Sequence, residues 1–108
     1  MPYDVLLTDS AVIDLEELDS FILTADSFES ADYVLGKLEE VIGSLAKFPE
    51  RASYPPELST LGIQDYREIF FKPYRVIYRV LENKVYIYLV VDGRRDMQTL
   101  LQRRLFSV

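Results

Sequence analysis

The apolar residues of this chain change their spacing twice. "PYDVLLT" at residues 2–8 strings aliphatic side chains together as a short strand does. From residue 9 the spacing becomes helical. Ala11, Leu15, Leu18 and Ile22, flanked by Val12 and Leu23, fall on one side of a helix that Asp9 or Ser10 can cap. Ile13 and Phe21 lie off that stripe. A second helix opens at "DSFE", where Asp26 and Glu29 have capping-box spacing. Its Phe28, Ala31, Val34, Leu35, Leu38, Val41, Ile42, Leu45 and Ala46 share one arc. Gly36 and Gly43 fall on the opposite face; a closely approaching partner backbone would explain them, but unoptimised solvent positions are the expected account. The helix must stop before Pro49, because the residue ahead of a proline is pushed out of the α region. So short a connection between two amphipathic helices predicts an antiparallel helical hairpin.

After an irregular stretch at residues 49–62, broken by prolines and a glycine, the period becomes two. "DYREIFF", "YRVIYRVL" and "KVYIYLVV" read as strands, and the pairs "KP" and "EN" between them predict antiparallel hairpins. Met97, Leu100, Leu101 and Leu105 then mark a short amphipathic helix. The expected fold is α+β in the order β-α-α-β-β-β-α, an antiparallel sheet with the helices collected on one side, as one domain over residues 1–108.

Side chains alternate faces along a strand, so a turn at Glu82-Asn83 sorts the last hairpin into two sides. Tyr74, Val76, Tyr78, Val80, Val85, Ile87, Leu89 and Val91 form an apolar side suited to the helices. Arg75, Ile77, Arg79, Leu81, Lys84, Tyr86, Tyr88 and Val90 form a basic and aromatic side expected to stay open. Such arginines either solvate an uncovered face and pair with Glu68, Glu82 or helix carboxylates, or form an anion-binding floor with tyrosines able to stack on bases.

Charge sharpens this picture. The formal net charge is −6, yet residues 1–65 carry 3 basic side chains against 14 acidic ones, and residues 66–108 carry 9 basic against 4 acidic. That asymmetry fits either a basic surface built for an anionic ligand or two halves that neutralise each other by packing. Net acidity argues against indiscriminate nucleic-acid binding. With no cysteine and no histidine, disulfides, thiolate chemistry and the commonest metal ligands and general base are excluded. No metal and no cofactor are expected. No apolar run approaches the roughly 18 residues of a membrane span, and the N-terminus lacks signal-peptide character, so a cytoplasmic protein is expected.

"YREIFFKPYRVIYRVLENKVYIYLVVDGRRD", behind two helices of this length, resembles the RelE/ParE superfamily of toxins from bacterial type II toxin–antitoxin modules. Its most specific part is "PYRVIYRV", followed by a strand and "GRRD". The resemblance implies a small α+β fold, growth inhibition linked to plasmid stabilization, and a cognate antitoxin that wraps and silences the toxin. Members divide by target. RelE-like ones cut messenger RNA in the ribosomal A site, and ParE-like ones poison DNA gyrase. In the RNA-cutting members a strand arginine corresponds to Arg75, one after the last strand to Arg94 or Arg95, and a basic residue before the hairpin to Arg67.

The chain departs from the RNA-cutting pattern in two places. It has no histidine near the C-terminus, and "MQTLLQ" puts leucine where RelE carries a helix tyrosine. Arginine stabilises a phosphorane's charge but is a poor proton shuttle, since its pKa exceeds about 12. Glu68, Asp92, Tyr86 and Tyr88 remain as acid–base groups, with arginine pairing the expected role of Glu68 and Asp92. A ParE-like toxin that binds gyrase is the favoured reading, with Arg67, Arg75, Arg79, Tyr86, Tyr88, Arg94 and Arg95 as the anion- or target-binding set. A ribosome-dependent mRNA endoribonuclease using Arg75, Arg94 and Arg95, or a non-toxic relative that only binds a partner, stays open.

Overall fold

The computed structural model describes residues 2–106. The elements follow the expected order: β1 (Asp4–Leu7), α1 (Asp9–Ala25), α2 (Phe28–Ser44), β2 (Arg67–Phe71), β3 (Tyr74–Leu81), β4 (Lys84–Asp92) and α4 (Met97–Phe106), with a one-turn α3 (Pro56–Ser59) inside the irregular stretch. The sheet runs β1-β4-β3-β2. β2, β3 and β4 pair antiparallel as expected, while β1 joins β4 in parallel. That parallel pairing is possible because the whole helical hairpin forms the crossover between β1 and the last three strands.

Both helices of the hairpin are capped one residue away from the expected positions. Thr8 caps α1 by accepting from Ala11 N–H, and its hydroxyl also donates to the carbonyl of Ile87, tying the cap to β4. Ser27, not Asp26, caps α2 by accepting from Ser30 N–H. The apolar stripes meet β3 and β4 in one core of Ala11, Leu38, Ile42, Leu45, Val76, Tyr78, Val85, Ile87 and Val90, with Leu15, Leu18 and Val34 against it. Burying each large aliphatic side chain there contributes about 1.5–3 kcal/mol. Tyr78 is fully buried, and its hydroxyl donates to the carbonyl of Pro49 at 2.6 Å; burial pushes that phenol up to about 12. Phe28 does not share this core. It overhangs the start of α2 and is 69% exposed. Gly36 and Gly43 face open space, as expected of solvent positions.

The two sides of the hairpin are not the ones strict alternation predicts. The turn at Glu82-Asn83 holds, with Glu82 at φ 57, and Val80 faces Val85 and Tyr78 faces Ile87 as expected. Between Ile77 and Tyr78 the register then slips: Ile77 pairs with Leu89, leaving Tyr88 as an extra residue in β4. A bulge of this kind reverses which side the following residues face. Val90 therefore joins the helical-hairpin side, and Leu89 and Val91 cross to the other. There they meet Ile77, Leu58, Tyr66, Met97, Leu100 and Leu101 in a second core roofed by α3 and α4. The helices are thus not all on one side. α1 and α2 cover one face, and α3 with α4 covers half of the face expected to stay open.

Asp14 and Arg104 repair the bulge. Val90 N–H donates to Asp14 Oδ2 at 3.0 Å. The Arg104 guanidinium donates to both Asp14 carboxylate oxygens at 2.9 and 3.0 Å and to the Tyr88 carbonyl at 2.9 Å. One ion pair thus joins α1, β4 and α4 and satisfies two backbone groups of β4 beyond Ile87, its last residue paired with β1.

Candidate functional site

The expected arginine floor separates into three environments. Arg75 is the most altered. It points to the Ile77 side, into the second core, and is 8% exposed. Its Nε donates to Glu68 Oε1 at 2.8 Å, its Nη2 bonds the same oxygen, and both terminal nitrogens donate to the Glu57 carboxylate at 2.8 and 2.9 Å. Glu68, 3% exposed on the edge strand β2, closes one flank, and Glu57 on α3 closes the other. Hydrogen bonds from Arg75 hold Glu57 below its ordinary range, while burial pushes Glu68 up against the same guanidinium. The Arg75 guanidinium is driven further into its charged form by the two carboxylates, Glu57 foremost. Reaching an outside phosphate would require unmaking all of these bonds.

Arg67 is also committed. It pairs across from Tyr78, which puts it on the opposite face from Arg75. Its guanidinium donates to the carbonyls of Glu50 and Ala52 and to the Tyr54 hydroxyl, 4.6 Å over the Tyr54 ring. It therefore pins the strap of residues 50–54 to β2, where Ser53 also bridges Glu68. Arg79 is half free. It lies 3.5 Å from Asp65 and 5.9 Å from the centre of the Tyr66 ring. Tyr66 in turn meets Tyr88 edge to face at 5.6 Å, so Tyr88 belongs to packing. Tyr86, half-buried opposite Arg79, and the exposed Lys84 and Leu81 are what remains of the open side.

Arg94 and Arg95 behave differently. They follow Gly93 in the turn between β4 and α4, and both are exposed. Arg94 donates to both oxygens of Asp92, at 2.9 and 2.6 Å, yet its side chain is 77% exposed. That hydrogen bonding holds Asp92 below the usual carboxylate range. Among the described residues Arg95 forms no ion pair, and its N–H closes the turn onto the Asp92 carbonyl. The two arginines form one bank of a cleft of about 460 Å³, shared with Asp14, Glu17, Leu18 and Phe21 of α1 and with Tyr74, Val90 and Val91.

Residues 5–97 match the model of the ParE toxin of the type II toxin–antitoxin system parDE. The chain belongs to the ParE toxin family. No curated protein matches it by sequence. Among solved structures, it is similar to the chromosomal ParDE toxin–antitoxin system from P. aeruginosa, with 14% identity, a TM-score of 0.71 and coverage of 83% of this chain and 95% of that one. It is also similar to the RelBE2 toxin–antitoxin complex from Mycobacterium tuberculosis, at 23% identity and a TM-score of 0.56, covering 85% and 92% of the two chains. A doubly substituted E. coli RelE toxin in the free state has 16% identity and a TM-score of 0.62, with 93% of each chain covered. These likenesses show that the chain shares its fold with those proteins.

The expected site residues of this family member do not converge. Arg75, Arg67 and Tyr88 are spent on structure, Arg79 and Tyr86 lie on the open half-face, and Arg94 and Arg95 stand together at the cleft. Glu68 and Asp92 pair with arginines, as their sequence context suggested. Nothing in the sequence marks Glu57 as a partner of Arg75. It sits in an irregular stretch, and nothing short of tertiary packing brings it to Arg75, 18 positions away.

Proposed function

We propose that this ParE-family chain arrests growth by binding DNA gyrase, that its contact includes the Arg94–Arg95 turn, and that a cognate antitoxin neutralises it. The observation that carries this reading is the burial of Arg75 between Glu57 and Glu68. Cutting RNA by attack of a 2′-hydroxyl needs charge stabilisation at the phosphate and groups that take and give protons. The strand arginine is locked away from solvent, and the nearest carboxylates are occupied in holding it. What is left exposed is a pair of arginines suited to a carboxylate or phosphate on a macromolecular surface, a binding role that needs no proton transfer.

Inducing the chain alone in bacteria, then with the product of the adjacent reading frame, tests the reading. Arrest with intact translation and gyrase-dependent DNA breaks is expected, lost in the Arg94→Ala, Arg95→Ala double variant and relieved by the co-expressed product. Codon-specific mRNA cuts would overturn the gyrase target. An absence of arrest would overturn toxicity itself.

A further inference from the structure

The last rung of the β3–β4 ladder carries the arginine turn. Asp92 ends β4 opposite Tyr74, and the Gly93 N–H donates to the Pro73 carbonyl at 2.8 Å. The Arg75 stem fills the space where a side chain on residue 93 would stand, so the backbone entering the turn rests on the buried ion cluster. From that base the Asp92 carboxylate gathers in Arg94. Its Oδ1 accepts from the Arg94 N–H and from Arg94 Nε, both at 2.9 Å, and its Oδ2 accepts from Nη2 at 2.6 Å. One edge of the guanidinium is thereby occupied, and the N–H groups of Nη1 and the outer one of Nη2 point away from Asp92. The Asp92 carbonyl accepts from the Arg95 N–H at 3.2 Å. Both arginines thus hang from one residue, Arg94 by its side chain as well as its backbone and Arg95 by its backbone alone.

We propose that Asp92 is a positioning residue of the target contact: it holds the Arg94 guanidinium edge-on, with its free N–H groups outward, before the target arrives; this rests on the gyrase reading above. An ion pair as exposed as this one contributes little to folding. Its value lies in order. A free arginine samples many rotamers in water and loses them on binding, whereas one already held presents a fixed fork. Preorganisation of this kind adds affinity by lowering the ordering cost, with no new contact. Arg95, without such a restraint, adjusts beside it. The opposite role for Asp92 is that of a counter-charge. An aspartate that merely cancels the field of Arg94 would weaken attraction to an anionic group, and its removal would tighten binding. The two roles give opposite signs for one substitution.

Asp92→Asn keeps the side chain's shape and an acceptor for the Arg94 N–H, and removes the charge and the Nη2 contact. Binding of the full chain to purified gyrase is expected to weaken about 3- to 10-fold, the cost of ordering one long side chain on contact. The same factor is expected in the Arg95→Ala background and none in the Arg94→Ala background, because Asp92 acts through Arg94. In the unbound wild-type chain, nitrogen relaxation is expected to find the Arg94 Nε–H nearly as rigid as the backbone and the Arg95 Nε–H mobile. In Asp92→Asn the two should become alike. Binding that is unchanged or tightened in Asp92→Asn overturns the inference, and tightening makes Asp92 a counter-charge. A loss that persists in the Arg94→Ala background overturns it too, as does a wild-type Arg94 Nε–H as mobile as that of Arg95; in each case the gyrase reading stands. The wild-type relaxation measurement decides the matter even if Asp92→Asn fails to fold. A wild-type chain that does not bind gyrase overturns the target reading and, with it, the role given to Asp92.

Discussion

Arg75 and the Arg94–Arg95 turn are neighbours in space and opposites in environment. Gly93 separates them, and a side chain on it would meet the Arg75 stem: an added Cβ would lie 2.5 Å from Cδ and 2.8 Å from Cγ of Arg75. On one side of that glycine a guanidinium is enclosed by two carboxylates, 10% exposed at its side chain. On the other a guanidinium holds its own aspartate and still presents 77% of its surface to solvent. The same residue type builds the fold in one place and is free to bind in the other, and burial decides which. A charge taken out of water must be matched within the protein, whereas a charge left in water contributes little to folding.

The sharpest way to break this comparison is Arg75→Ala. It leaves Glu68 buried with no cation, and the expected loss is about 3–5 kcal/mol, read as a lowered urea midpoint. A stability within error of wild type would mean that Arg75 is no more structural than Arg94. Gly93→Ala comes next. The new methyl must displace the Arg75 stem or the Pro73 carbonyl, 3.1 Å away, at an expected loss of about 1–3 kcal/mol. Little loss would show that the turn and the buried cluster are not mechanically joined.

Glu57→Gln is expected to cost about 1 kcal/mol at neutral pH, and its pH dependence has a definite sign. Glu57 titrates below its ordinary 4.5 in the fold, so its contribution is whole above that value and is lost as pH falls through the depressed one. Glu68 runs the other way, because burial raises it and acid relieves its penalty. Since Glu68 is present in both proteins, the gap in urea midpoint between wild type and Glu57→Gln should close below pH 4.5. A constant gap would remove Glu57 from the ion cluster at work in solution. The smallest expected effect is that of Arg94→Ala with Arg95→Ala, which should leave the midpoint unchanged while abolishing arrest. Lost stability there would erase the contrast from the other side.

Much of the fold was legible because it rests on local rules. The helical period of Ala11, Leu15, Leu18 and Ile22 and the alternation in "YRVIYRVL" each report burial of one side of one element. The turn at Glu82-Asn83 was legible from its spacing, and its first pairs, Val80 with Val85 and Tyr78 with Ile87, were as expected. The bulge at Tyr88 was not, since an apolar run such as "YIYLVV" keeps the same pattern whichever way it slips. That single extra residue moved Leu89 and Val91 to the far side, and there they required a second core with α4 and α3 as its roof.

The candidate site was legible only in its parts. "GRRD" marked two arginines at the end of a strand, and they are exposed where the turn leaves them. Arg75 carried the same signal in sequence and met a different fate, because Glu57 arrives from the irregular stretch and Glu68 from the edge strand.

By itself the sequence determined which stretches are helices and strands, the order in which they come, the segregation of acidic and basic halves, and the resemblance that the family match bears out. These follow from periodicity, capping and composition, which are properties of neighbouring residues. Tertiary structure alone decided the parallel seat of β1, the register of β4 and the pairing of each arginine. Those depend on contacts between distant segments, where desolvation and hydrogen bonding to a particular carboxylate outweigh any preference the residue carries alone.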